Sequence, residues 1–165
     1  MTTKQAFSAE EWEAVVKTPL MAGMVVILSD LGAVSMVKES KAMMDAITKN
    51  PAPDEASELV AAYRADVMER AANHEKLPGT EKPKGEPQQI LKDMMAAVSA
   101  GAALVDSKAD AAEAAGFKDW TMSVAQSTAE AAKEGGVLGI GAVRVSDKET
   151  AALDDLRVAL GIANS

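Results

Sequence analysis

Residues 20–28 read LMAGMVVIL, nine consecutive apolar residues in a chain that elsewhere mixes apolar and charged positions. A helix that is apolar on all sides must lie at the centre of its own domain or be covered by another chain. Nine residues fall far short of the roughly 20 that a membrane-spanning helix requires, and Asp30 and Gly32 soon follow. The stretch therefore predicts a buried core helix and no membrane span.

The residues before this stretch predict where its helix begins. Ser8 and Glu11 have the spacing of a capping box, and Phe7 is placed to pack against Trp12 as a hydrophobic staple. The helix is then expected to run through the apolar stretch. Because a proline ring opposes a straight helix, a break or kink is expected before Pro19.

The composition predicts an all-α fold. Alanine occupies 33 of the 165 positions and methionine 10, whereas Phe, Tyr and Trp together supply five residues. Alanine has the highest helix propensity, and strands favour β-branched and aromatic residues. At this length the chain is expected to form a single domain over residues 1–165, a compact bundle of about five to six helices.

Turn residues divide the remainder of the chain into helices. A long Pro/Gly-rich connector, LPGTEKPKGEP at residues 77–87, separates two candidate halves, 7–76 and 88–162. Gly116 is expected to end a long fourth helix, and Ser146 with Glu149 forms a second capping box for the last helix. The helices predicted after the first cover roughly residues 33–49, 54–75, 88–115, 117–134 and 146–161.

A glycine-rich strap precedes the last helix. Residues 134–147 read EGGVLGIGAVRVSD, in which Arg144 stands where a dinucleotide-binding GxGxxG motif needs its third glycine. The first two glycines suit the end of a helix. The side chains of Leu138, Ile140 and Val143 are then expected either to pack against the helices or to contact a second subunit.

Net charge and cysteine content exclude several functions. The formal charge of −8 disfavours nucleic acid and anionic membrane surfaces as partners, because both attract clustered Lys and Arg. The absence of cysteine excludes disulfides, thiolate metal sites and cysteine nucleophiles. No basic segment followed by an apolar core marks a secretory signal, so a cytoplasmic location is expected.

The ionisable residues offer little chemistry. Asp106, Asp110 and Glu113 lie three and four positions apart, which would place them on one helix face as candidate ligands of a hard cation. Such acidic rows are usually solvated surfaces, and no metal or cofactor is predicted. His74 is the only histidine, and Ala71 stands where a di-iron bundle needs glutamate.

Methionine is the last unusual feature. Its flexible thioether side chain fills irregular gaps in a core or lines an adaptable apolar groove. Met21, Met24 and Met36 are therefore candidates for an apolar-ligand site or an interface.

These patterns favour a non-enzymatic protein, because no nucleophile–base pair, cofactor motif or acid–base dyad can be drawn. The first hypothesis is self-association or binding of a protein partner, with a homo-oligomer that shares the apolar stretch. One alternative is a carrier or sensor of a small apolar ligand in a cavity lined by Met and Ala. The other is an acidic binder of divalent metal or a stress-response protein.

Overall fold

The computed structural model describes residues 2–29, 35–80, 84–133 and 145–162. Within these ranges every regular element is helical, which confirms the predicted all-α bundle. Two short 3₁₀ helices span Lys4–Ala6 and Asp54–Ala56. The six α-helices are α1 (Ala9–Ser29), α2 (Ser35–Lys49), α3 (Ser57–Ala72), α4 (Pro87–Lys108), α5 (Ala111–Lys133) and α6 (Asp147–Leu160).

The start of α1 has the predicted capping box. The Ser8 amide donates to Glu11 Oε2 at 2.7 Å, and the Glu11 amide donates to Ser8 Oγ at 3.2 Å. The rings of Phe7 and Trp12 lie 5.5 Å apart between centroids, so the hydrophobic staple also forms. Local sequence therefore sets the first turn of this helix.

Pro19 does not interrupt α1, so of the break or kink expected before it, the break is wrong and the kink stays a prediction. The proline is buried inside a helix that packs against α2, α4, α5 and α6. Packing on this scale outweighs the roughly 3 kcal/mol that an internal proline costs a helix. Next to it, the Thr18 hydroxyl donates to the Ala14 carbonyl at 2.9 Å, and the Tyr63 hydroxyl donates to the Val16 carbonyl at 3.2 Å.

The apolar stretch 20–28 lies at the centre of the bundle. Most of its side chains are buried, among them Leu20, Val25, Val26 and Ile27. By length and hydropathy α1 would also suffice to cross a membrane, but 67% of its most apolar 18-residue window is buried inside the protein. Other helices of the same chain cover this stretch, as expected for a core helix.

Helices α1 and α4 run in opposite directions along each other. Lys108 at the end of α4 pairs with Glu11 at the start of α1, at 3.2 Å. Midway, Gly101 lies so close to α1 that an added Cβ would overlap Thr18 Oγ1 and lie 2.9 Å from the Ala14 carbonyl oxygen. A residue without a side chain at this point lets the two backbones approach.

Helix α4 ends earlier than the sequence predicts. It stops at Lys108, and Asp110 accepts hydrogen bonds from the Ala112 and Glu113 amides at 3.0 and 2.9 Å, as an N-cap does. The prediction that Gly116 ends a helix is therefore wrong, because it lies within α5. Its role is close packing, since an added Cβ would lie 2.9 Å from Ala56 Cβ.

Helix α3 joins α5 through an aromatic cluster. The rings of Tyr63, Phe117 and Trp120 lie 5.2 to 6.4 Å apart between centroids. The guanidinium of Arg64 stands over the Trp120 ring at 5.5 Å and donates to the Ile47 carbonyl at 2.7 Å. Three of the chain's five aromatic side chains, those of Tyr63, Phe117 and Trp120, are thereby buried together in the core.

The connector is packed against the bundle at its start. Leu77 is half-buried, Pro78 is buried, and Gly79 adopts φ +81° beside the Met21 side chain. Buried apolar side chains that precede and follow the connector belong to one continuous cluster. The division into halves 7–76 and 88–162 stays a prediction.

The residues before α1 are held against the bundle by polar contacts. The buried Thr2 amide donates to Glu113 Oε1 at 2.7 Å. Asp66 on α3 is only 4% exposed and accepts hydrogen bonds from Lys4 and from Arg70, and Arg70 also binds Glu13. We call these four charged residues the N-terminal clasp.

Candidate ligand-binding groove

A groove opens where α1, α4 and α6 meet. It has a volume of about 400 Å³, within the range of small-ligand sites, roughly 300–1,000 Å³. We call it the α6 groove. Its walls are formed by Val25, Ser29, Leu91, Lys92, Met95, Lys148, Ala151, Ala152 and Asp155.

Side-chain spacing on the three helices explains why the groove is lined as it is. Leu91 and Met95 are four residues apart on α4, so they lie on one face, and Val25 and Ser29 have the same spacing on α1. On α6, Ala151 and Ala152 face the groove with methyl groups too short to fill it. Small residues on one helix opposite long ones on another leave the space open.

The rim of the α6 groove is charged. Lys92, Lys148 and Asp155 are exposed, and none of them forms an ion pair with another residue in the described ranges. Their charged groups are therefore available to a molecule that occupies the groove.

A second groove lies on the other side of the first turns of α4. It has a volume of about 270 Å³, and we call it the connector groove because Gly79 and Lys84 contribute to it. Its walls are formed by Lys17, Met21, Gly79, Lys84, Ile90, Asp93, Met94 and Ala97.

The three methionines singled out from the sequence do not line one of these two grooves together. Met21 is buried and contributes to the connector groove. Met24 is half-buried and packs against the core, and Met36 is 40% exposed on α2. The sequence prediction missed Met95 and Leu91 as groove residues, although their spacing of four on α4 is the signal that places them on one face.

The prediction that Asp106, Asp110 and Glu113 share one helix face is wrong, because α4 ends at Lys108 between the first of them and the other two. Asp106 accepts a hydrogen bond from Lys118 at 2.8 Å, Asp110 caps α5, and Glu113 is buried against Thr2. Among the described residues, no group of three or more His, Asp or Glu side chains is placed to hold a metal ion.

The strap candidates Leu138, Ile140 and Val143 lie outside the described residues. Their assignment as internal packing or as an interface stays a prediction.

Comparisons with known proteins identify no relative of this chain. No protein-family model, no curated protein and no solved structure matches the chain.

Proposed function

We propose that the chain is a non-enzymatic protein that binds a small apolar ligand in the α6 groove. The observation that carries this proposal is the apolar floor of the groove, formed by Val25, Leu91, Met95 and Ala152. Apolar walls with a few polar groups at the edge are typical of sites for small ligands. Methionine and alanine line the groove, as the ligand-carrier hypothesis expects, although with Met95 in place of the methionines first considered.

A neutral fluorescent probe of apolar sites, Nile red, tests the proposal. Its fluorescence should rise saturably with the wild-type protein. Ala151→Trp places an indole in the groove from an exposed position of α6 and should weaken Nile red binding by at least about tenfold, equivalent to about 1.4 kcal/mol.

The connector groove supplies the matched control. Ala97→Trp introduces the same side chain there and should leave Nile red affinity unchanged, with thermal unfolding of both variants recorded to confirm that they fold. Absence of saturable binding would contradict the proposal. Loss of binding in Ala97→Trp alone would move the site to the connector groove. Native mass spectrometry of protein purified from its own cells would then identify a retained ligand.

Self-association is a second candidate, and the start of α2 supports it. Met36 is 40% exposed and the adjacent Val37 is 77% exposed, so two apolar side chains face solvent together. The stretch 20–28, in contrast, is covered within its own chain, so it does not support the homodimer first expected from it.

Sedimentation velocity distinguishes these surfaces. If α2 mediates a homodimer, Val37→Glu should yield a monomer, whereas Val158→Glu, at a position 73% exposed on α6, should not. A wild-type monomer at high concentration would exclude self-association. A dimer that survives Val37→Glu but is lost on replacement of Leu138 and Ile140 by serine would assign the interface to the strap.

A further inference from the structure

We infer that the ligand of the α6 groove is a monoanionic amphiphile, whose acidic group lies by Lys92 and Lys148 and whose hydrocarbon chain lies on the apolar floor. This inference rests on the proposed function, since it specifies the chemistry of the ligand in the same groove. The carboxylate of a medium-chain fatty acid is the simplest molecule of this class.

The charges on the rim support an acidic ligand. Among the described residues that line the groove, two are lysines and one is an aspartate, which sum to a charge of +1 in a chain whose formal net charge is −8. The lysines come from different helices, Lys92 from α4 and Lys148 from α6, and neither forms an ion pair with a described residue. An anion can therefore interact with both lysines without displacing an internal partner.

The order of residues along α6 supports an oriented ligand. Lys148 and Asp155 are seven residues apart, a separation of about 10 Å along the helix at 1.5 Å per residue. Lys148 lies in the first turn, where the partial positive charge of the helix end also favours an anion. Asp155 therefore lies about two turns from the N-terminal end of α6. Ala151 and Ala152 lie between Lys148 and Asp155.

A set of three ligands with eight carbons each and different head groups tests the inference. The head group of octanoate is negative, that of octanol is neutral, and that of octylammonium is positive. Each is titrated into the isotopically labelled protein, and the dissociation constant and the shifted amides are read from two-dimensional NMR spectra. We expect octanoate to bind tightest, by about fivefold over octanol, with shifts at Leu91, Met95 and Ala151.

Charge variants of exposed residues keep the test independent of folding. Lys92→Gln with Lys148→Gln should remove the preference for octanoate over octanol, because both positive charges that line the groove are lost. Asp155→Asn should strengthen octanoate binding by about twofold, because a nearby negative charge is lost. Lys17→Gln, in the connector groove, is the matched control and should change neither affinity.

The outcomes separate this inference from the function on which it rests. If octanol binds the α6 groove as tightly as octanoate and the lysine variants have no effect, the acidic head group is wrong and the apolar-ligand function stands. Preference for octylammonium would likewise overturn the inference. If none of the three ligands shifts amides of the α6 groove, both proposals fail.

Discussion

His74 ends α3 in a backbone conformation that favours glycine. Its φ is +56°, the Glu75 amide donates to the Arg70 carbonyl at 2.8 Å, and the His74 amide donates to the Ala71 carbonyl at 3.2 Å. These are the two hydrogen bonds of a Schellman motif, in which glycine usually occupies the left-handed position. His74→Gly should therefore raise the free energy of unfolding by about 0.5–1 kcal/mol, measured by urea denaturation.

The neighbouring Asn73 supplies the control for this prediction. Its φ is −84°, so glycine relieves no strain there and adds only flexibility to the unfolded chain. Asn73→Gly should lower the unfolding free energy by a few tenths of a kcal/mol up to about 1 kcal/mol. Equal effects of the two substitutions would show that the left-handed conformation of His74 carries no strain.

Gly101 lies at a close approach of α4 to α1. Gly101→Ala would overlap Thr18 Oγ1 and crowd the Ala14 carbonyl. We expect the variant to lose about 1–3 kcal/mol of unfolding free energy through overpacking, measured by urea denaturation. Adding Thr18→Ala removes the first of these contacts and should recover part of the loss. A neutral or stabilising Gly101→Ala would contradict this close approach.

At the scale of elements, the sequence predicts the two capping boxes correctly but not the boundary between α4 and α5. Ser8 with Glu11 and Ser146 with Glu149 both form the capping boxes expected of them, because this motif depends on residues within one turn. The boundary at Asp110 was missed because alanines surround it and alanine favours helix on both sides. Gly116 was misassigned because its role depends on Ala56, which is distant in sequence.

The N-terminal clasp joins the 3₁₀ helix before α1 to α3 and should make stability depend on acidity. Burial raises the pKa of Asp66. The hydrogen bonds from Lys4 and Arg70 together lower it by more than burial raises it, so the pKa lies below its ordinary value of 3.8. The folded state thus binds this proton less readily than the unfolded state. Ionised Asp66 therefore stabilises the fold at pH values above its ordinary pKa. This contribution is lost as the pH falls through the pKa of the folded state.

Asp66→Asn tests the clasp. At about pH 7 the variant should be less stable than wild type by about 1–2 kcal/mol, because two charged donors lose their ionised acceptor. The difference should shrink as the pH falls below about 4, measured by urea denaturation at a series of pH values. Asp155→Asn, at an exposed position without a described ion pair, should show neither effect. A difference that is constant with pH would contradict a role for the Asp66 charge.

At the scale of the whole molecule, composition predicted the fold class, and the apolar stretch predicted which helix is central. The candidate site was less predictable, because a groove depends on how helices pack rather than on any one motif. Met21 and Met36 were chosen for the same residue type, yet one is buried in the connector groove and the other is exposed on α2. Met95 lines the α6 groove because of its position relative to two other helices.

The two tryptophans can decide whether the chain unfolds as one unit. Trp12 precedes the connector, Trp120 follows it, and both are buried in the same apolar cluster. Neither indole N–H has a hydrogen-bond partner among the described residues, so replacement by phenylalanine removes an unpaired buried donor and breaks no hydrogen bond of the indole. Trp12→Phe and Trp120→Phe therefore each leave one fluorescent reporter on one side of the connector.

We expect both reporters and far-ultraviolet circular dichroism to give one coincident urea transition in each variant, as two-state unfolding requires. Coincidence is expected because α1, before the connector, packs against α4, α5 and α6 after it, so loss of either side exposes the core of the other. A tryptophan signal that changes at a lower urea concentration than the circular dichroism would show that residues 7–76 and 88–162 unfold separately. The side that unfolds first would be identified by which of the two tryptophans reports it.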